Sequence, residues 1–173
     1  LLAFLELAAA KGAAAPPEIK KAAYRLLGHP EGRVRAQAIA TQMAVGERSR
    51  NVYYRLVDLL HDPAKDVRAA AATGLVMTGG EAARDELLPI ARDPSEEVRL
   101  ALWRAVQARP FPSAPLVLKR LCADLGDGFA ALRGHCQGPL PGSASLVATR
   151  GALPAGQPGD AALTTALTMA TGP

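Results

Sequence analysis

The side chains of this sequence best suited to chemistry are Cys122, His135 and Cys136, two thiols and an imidazole of the types that hold zinc or a softer metal. A closed zinc site wants four ligands, and Cys122 also falls on an apolar register position, so the expected metal-ligand set is none. Phosphate-binding glycine loops, paired zinc signatures and a serine nucleophile elbow are absent from the sequence, so no catalytic residue is assigned. The expectation is a non-enzymatic protein without a cofactor.

Charge suggests binding instead. Between Glu18 and Arg55 stand Lys20, Lys21, Arg25, Arg33, Arg35, Arg48, Arg50 and Arg55 against Glu18, Glu31 and Glu47, an excess that suits an acidic partner. Nucleic acid is the second reading for basic residues 20–55, where Tyr24, Tyr53 and Tyr54 are the aromatic groups nearby, and a solvated basic face is the plainer reading that outweighs it. Residues 81–97 are acidic, and such a gradient suits orienting a protein partner. The whole chain carries 20 Lys and Arg against 16 Asp and Glu, a net +4 that falls short of a dedicated nucleic-acid surface.

These residues need elements to position them. Hydrophobic residues make up 49% of the chain and aromatics only 4%, so the core must rely on Ala, Leu and Val, which suit close helix packing. Asp62-Pro63 is followed four residues later by Val67-Arg68, and the pattern returns at the same internal spacing as Asp93-Pro94 and Val98-Arg99. His29-Pro30 with Val34-Arg35 is the same unit, one repeat earlier. Before each turn Val52, Leu56, Leu59 and Leu60 map onto Ala83, Leu87, Ile90 and Ala91, one apolar stripe along a first helix, A. After it Val67, Ala70, Ala71, Gly74 and Leu75 map onto Val98, Ala101, Leu102, Ala105 and Val106, the inner stripe of a second helix, B. Pro63 and Pro94 are placed to open helix B, with the preceding Asp accepting from its first amides, and Gly46 and Gly79 are placed to stop helices.

Turn residues Asp-Pro-x-x-x-Val-Arg ahead of an Ala-rich helix resemble the HEAT repeat, in particular the short bacterial HEAT-like units also found in phycobilisome lyases. The resemblance covers about residues 18–110 and implies an all-α solenoid, a superhelix of stacked antiparallel helix pairs, with the armadillo-like helical proteins as its architectural class. It also implies a ladder between units from the turn Asp and the Arg six residues on, Asp62 with Arg68 and Asp93 with Arg99, with His29 opposite Arg35 in the first unit. His61-Asp62 is similar to the metal-binding His-Glu pairs of HEAT-repeat hydroxylases, but it occurs once, has Asp for Glu and sits at a turn, where capping explains it. A phycobilin-lyase-like component is a further alternative, although the likeness lies in structural positions and transfers no catalytic residue.

The expected organisation is an array over 1–136, with a partial unit at 1–12, units at 18–46, 50–79 and 81–109, and a degenerate unit at 112–136. Leu1 and Leu5 stand one repeat before Val34 and Ala38, so further repeats upstream are expected. Gly126, Gly128 and Gly134 should weaken the second helix of the last unit. Residues 137–173 are a Gly/Pro/Ala-rich tail with Arg150 and Asp160 as its charges, expected to be disordered. No run approaches the roughly eighteen apolar residues of a membrane span, and two cysteines are too few for a disulfide framework, so a reducing, cytoplasmic setting is expected.

A non-catalytic protein-binding scaffold or adaptor follows as the expected function. Its contact surface is placed on B-helix positions off the core stripe, in the rows Ile39, Ala72, Trp103 and Ala40, Thr73, Arg104, flanked by Ala36, Ala69 and Leu100. Leu100, Trp103, Arg104 and Thr73 are the candidate partner-binding residues, with Trp103 and Arg104 suited as anchors, while packing of Trp103 between neighbouring units is the plainer reading of that side chain and outweighs the contact reading. Asp62, Arg68, Asp93, Arg99 and Arg35 are the structural set.

Overall fold

A computed structural model of the protein describes residues 15–123 and 125–137. All described residues belong to one unit of the chain. The partial unit expected at 1–12 lies outside the described residues, as does the expected tail beyond Gln137.

Helices alternate along the described chain: α1 Pro17–Leu26, α2 Gly32–Ala44, α3 Arg50–Leu59, α4 Lys65–Thr78, α5 Arg84–Ile90, α6 Glu96–Ala108, α7 Ala114–Leu121 and α8 Ala130–Cys136. A 3-10 turn, Gly80–Ala83, leads into α5. Odd-numbered helices are the A helices and even-numbered ones the B helices, so the architecture is all-α, of stacked HEAT-like helix pairs. B helices α2, α4 and α6 pack in succession, and each of their A helices lies against its own B helix.

Local chemistry sets the ends. Pro16 and Pro17 open α1, where the missing amide costs nothing, and the Ser49 hydroxyl accepts from the Val52 amide at the start of α3. Helix α2 ends before Gly46, whose φ of 69° is the left-handed conformation that a glycine adopts without strain. After α4 that conformation falls on Gly80, at φ 52°, and Gly79 itself stays right-handed. The turn prolines stand two residues further out than a helix-opening proline would. Helix α4 begins at Lys65 and α6 at Glu96, and the Asp before each proline caps from outside: Asp62 Oδ1 accepts the Ala64 amide at 2.9 Å, and Asp93 Oδ1 the Ser95 amide at 2.8 Å.

The repeated apolar positions form one core. Val52, Leu56, Val67, Ala71, Leu75, Leu87, Val98, Leu102, Leu118 and Leu121 are all buried. Each such leucine removed from water contributes about 1.5–3 kcal/mol, which is how helices this short persist. Gly74 marks the closest approach: a Cβ there would stand 3.1 Å from Leu56 Cδ1 and 3.5 Å from Ile39 Cγ2, so α2, α3 and α4 meet at a point sized for hydrogen. The last B helix, α8, runs seven residues and buries Leu132.

Candidate functional site

Three surfaces compete as the site: the ladder at the turns, the outward rows of the B helices and a groove on the A helices. The ladder is built from the Asp-Pro turns. Arg35 Nε and Nη2 each donate at 2.7 Å to the two carboxylate oxygens of Asp62, and Arg68 repeats the fork on Asp93 at 2.7 and 3.1 Å. The remaining nitrogen folds back onto its own turn, Arg35 Nη1 to the carbonyls of His29 and Pro30, Arg68 Nη1 to those of Asp62 and Pro63. The pairing is therefore one unit out from the expected one: the arginine of a unit grips the carboxylate of the next turn and only the backbone of its own. Six residues separate Asp62 from Arg68, so on leaving the turn the guanidinium reaches a carbonyl at its own level and a carboxylate only in the neighbouring unit. Arg99 follows suit, giving Nε to the Asp93 carbonyl at 2.6 Å, with its guanidinium carbon 4.1 Å from the ring centre of Phe129.

Burial pushes the Asp62 carboxyl upward, but the hydrogen bonds from Arg35 and the Ala64 amide, with the charges of Arg35 and Arg68, outweigh it, so its pKa stands below the ordinary carboxylate value. The matching hydrogen bonds raise Arg35 and Arg68. Such bidentate pairs fix geometry, so the ladder holds successive units in one register.

Trp103 is not on the outer face of α6. It is 2% exposed and its row partners Ile39 and Ala72 are equally enclosed, because a B helix is flanked on both sides and its second flank receives the next unit. The indole stacks on His135 of α8, ring centres 5.7 Å apart. The neighbouring row does reach solvent in part: Arg104 and Ala40 are exposed, whereas Thr73 and Leu100 are half-buried, with the Thr73 hydroxyl donating to the Ala69 carbonyl in its own helix. The candidate patch thus reduces to Arg104 with the edges of Leu100 and Thr73.

A groove of about 510 Å³ opens between α1 and α3, lined by Tyr24, Arg25, Gly28, Asn51, Tyr54, Arg55 and Asp58. Tyr24 and Tyr54 are 41% and 58% exposed, and Arg55 is tied to Asp58 at 3.6 Å and to the Leu27 carbonyl at 3.4 Å. Lys21 and Arg25 stand exposed on the adjoining turn of α1. The sequence carried this signal, since both tyrosines fall off the stripes Ala23, Leu27 and Val52, Leu56 and so had to face outward. Tyr53 does not join them; its hydroxyl donates to the Ala82 carbonyl across a unit boundary.

Cys122 and Cys136 form a disulfide that ties the end of α7 to the end of α8, with Cα atoms 5.6 Å apart. This takes away the ground on which a reducing compartment was expected and engages both thiols. Among the described residues no group of three or more His, Cys, Asp and Glu side chains is placed to hold a metal ion. No helix among them is long and apolar enough to cross a membrane.

Residues 53–130 match the HEAT repeats. The matched HEAT region begins within α3 and ends at the start of α8, so it takes in the Asp62 and Asp93 turns and the Arg68–Asp93 rung. The match is to HEAT repeats in general and carries nothing particular to the phycobilisome-lyase units. No curated protein and no solved structure compared with the chain gives a match.

Proposed function

We propose that this HEAT-type array is a non-catalytic protein-binding scaffold, and that the groove on its A helices takes an acidic segment of a partner protein. The observation that carries the reading is the pair of exposed rings, Tyr24 and Tyr54, set in a groove among Arg25, Arg55 and Lys21. Tyrosine gives large contact area at small entropic cost, and the flanking cations select negative charge. Arg104, Leu100 and Thr73 on the B helices form a second, smaller contact row, and a solenoid of stacked pairs is a fold often used to hold other proteins.

The alternative, nucleic acid on the same basic stretch, has one observation in its favour: both rings could stack on bases. Titrating the full chain with fluorescent Asp/Glu-rich peptides and with single-stranded oligonucleotides separates the two. The scaffold reading expects peptide binding weakened about tenfold or more by Tyr24→Ala with Tyr54→Ala, a hot-spot-sized loss. Oligonucleotide binding with a steep dependence on salt, and none of peptide, selects nucleic acid instead. Binding abolished by Arg104→Glu and indifferent to the tyrosines moves the site to the B helices.

A further inference from the structure

The groove beside Tyr24 and Tyr54 does not end at those rings. A second hollow of about 300 Å³ adjoins it, lined among others by Lys20, Lys21, Glu47 and Ser49, and the two hollows share Tyr24 and Asn51. The joined groove follows the first A helix from Pro17 to Gly28 and the second from Ser49 to Asp58. A helical path of that extent covers about 16 Å, the length of about five residues of extended chain. The charges along it are ordered. Lys20 is paired with Glu47 at 3.3 Å, and Arg55 with Asp58 at 3.6 Å. Lys21 and Arg25 are left over: both are exposed, they stand one turn apart on α1, and neither has an ion pair among the described residues.

We infer that the groove reads two acidic side chains at alternate positions of an extended partner segment, one on Lys21 and one on Arg25. This rests on the acidic-segment reading above and adds a spacing to it. Residues four apart on a helix share a face and lie about 6 Å apart along its axis. Alternate residues of an extended chain also share a face, at about 6.6 Å, whereas adjacent ones point to opposite faces and cannot use both cations. A helical partner with acids four residues apart would match the spacing too, but Asn51 favours the extended one. Its exposed side chain makes no hydrogen bond among the described residues, and it stands where the two hollows meet. An amide there offers donor and acceptor to a backbone with free groups, which an extended segment has and a helix has spent on itself. Glu47 and Asp58 repel further acids, so the segment is a short one with two acids and not a long acidic run.

Fluorescence anisotropy tests this with the full chain and fluorescein-labelled short Ser/Gly peptides that carry two Glu, placed adjacent, alternate or four apart. At equal charge the alternate spacing should bind about threefold to fivefold more tightly than either other, the upper range for one exposed ion pair. Lys21→Ala should erase that preference while a peptide with one Glu binds as before. Lys21→Glu should turn the preference towards a peptide in which one of the two alternate Glu is replaced by Lys. Lys21 is exposed and holds no partner among the described residues, so neither change removes a contact of the fold, which a circular dichroism melt of each variant checks. Equal binding at every spacing, or binding that grows in step with the number of Glu in a run, overturns the inference and leaves the acidic-segment reading standing. Tightest binding at the four-apart spacing overturns it in favour of a helical partner. Absence of binding by every acidic peptide overturns both.

Discussion

The joints between the first three units and the joint to the last are made differently. Between α2 and α4, and between α4 and α6, the chain relies on flat aliphatic packing edged by Arg35–Asp62 and Arg68–Asp93. At the far end α8 is a seven-residue helix with three glycines in and before it, and it is secured by a covalent link at Cys136, a stacked His135, Phe129 under Arg99 and one capping bond, Leu132 amide to Glu96 at 3.0 Å. A regular repeat is stable because its neighbours enclose it. A repeat that has lost its regularity needs point attachments, and each attachment is a separate place where it can fail.

The largest effect should come from the enclosed joints. Leu75→Ala in α4 removes a fully buried side chain and should cost about 2–5 kcal/mol, read as a lower midpoint in chemical denaturation of the whole array. A loss under about 1 kcal/mol would mean that the packing collapses freely and the units are not tightly stacked. Next, Cys122→Ser opens a loop of 14 residues and should weaken the closure of α8 by about 2–3 kcal/mol. Because Trp103 is the one tryptophan of the chain, its emission should shift to the red while the helical signal of α2–α6 persists. A simultaneous loss of the whole helical signal would show the last joint to be no weaker than the others.

A smaller effect is expected at the rungs. Asp62→Ala leaves the Arg35 fork without its carboxylate and should cost about 1–3 kcal/mol, within the range for charged hydrogen bonds. The pH dependence follows from the lowered pKa of Asp62. In the unfolded chain this carboxyl takes up a proton near its ordinary value of about 4, and in the folded chain only at lower pH. Its contribution is therefore full above about pH 4 and is lost as acid brings the pH down through the folded value. Melting temperatures measured from pH 7 to pH 2 should fall more steeply for the natural chain than for Asp62→Asn, and parallel curves would count against the rung. The smallest effect should come from Leu116→Ala on α7, half exposed already, which should stay within about 0.5 kcal/mol.

The helix pairs were legible because their stripes recur in fixed register through Val52, Leu56, Val67, Ala71, Leu87 and Leu102. The arginine and aspartate partners of the ladder were legible as residue types but not as pairs, since a linear spacing of six says nothing about which unit a guanidinium reaches. Trp103 stands off the one stripe that a single helix shows, which leaves contact and packing between units both open, and the second flank of an inner B helix, supplied by a neighbour, decides for packing. Cys122 and Cys136, 14 residues apart across a glycine-rich turn, are brought together by the hairpin of α7 and α8, and residue spacing alone could not announce it. The Tyr24–Tyr54 groove was the reverse case, readable from the stripes yet hidden because the two residues belong to different positions of the repeat.

Each rung takes its arginine from one unit and its aspartate from the next, and this governs how such a chain can change in length. A whole unit inserted at the link 45–49 brings an aspartate for Arg35 behind it and an arginine for Asp62 ahead of it, so one rung is added and none is orphaned. An insertion of half a unit strands an arginine on one side and a carboxylate on the other. Growth and shrinkage of the array are thereby confined to whole-unit steps, as in a chain of links that close only when complete.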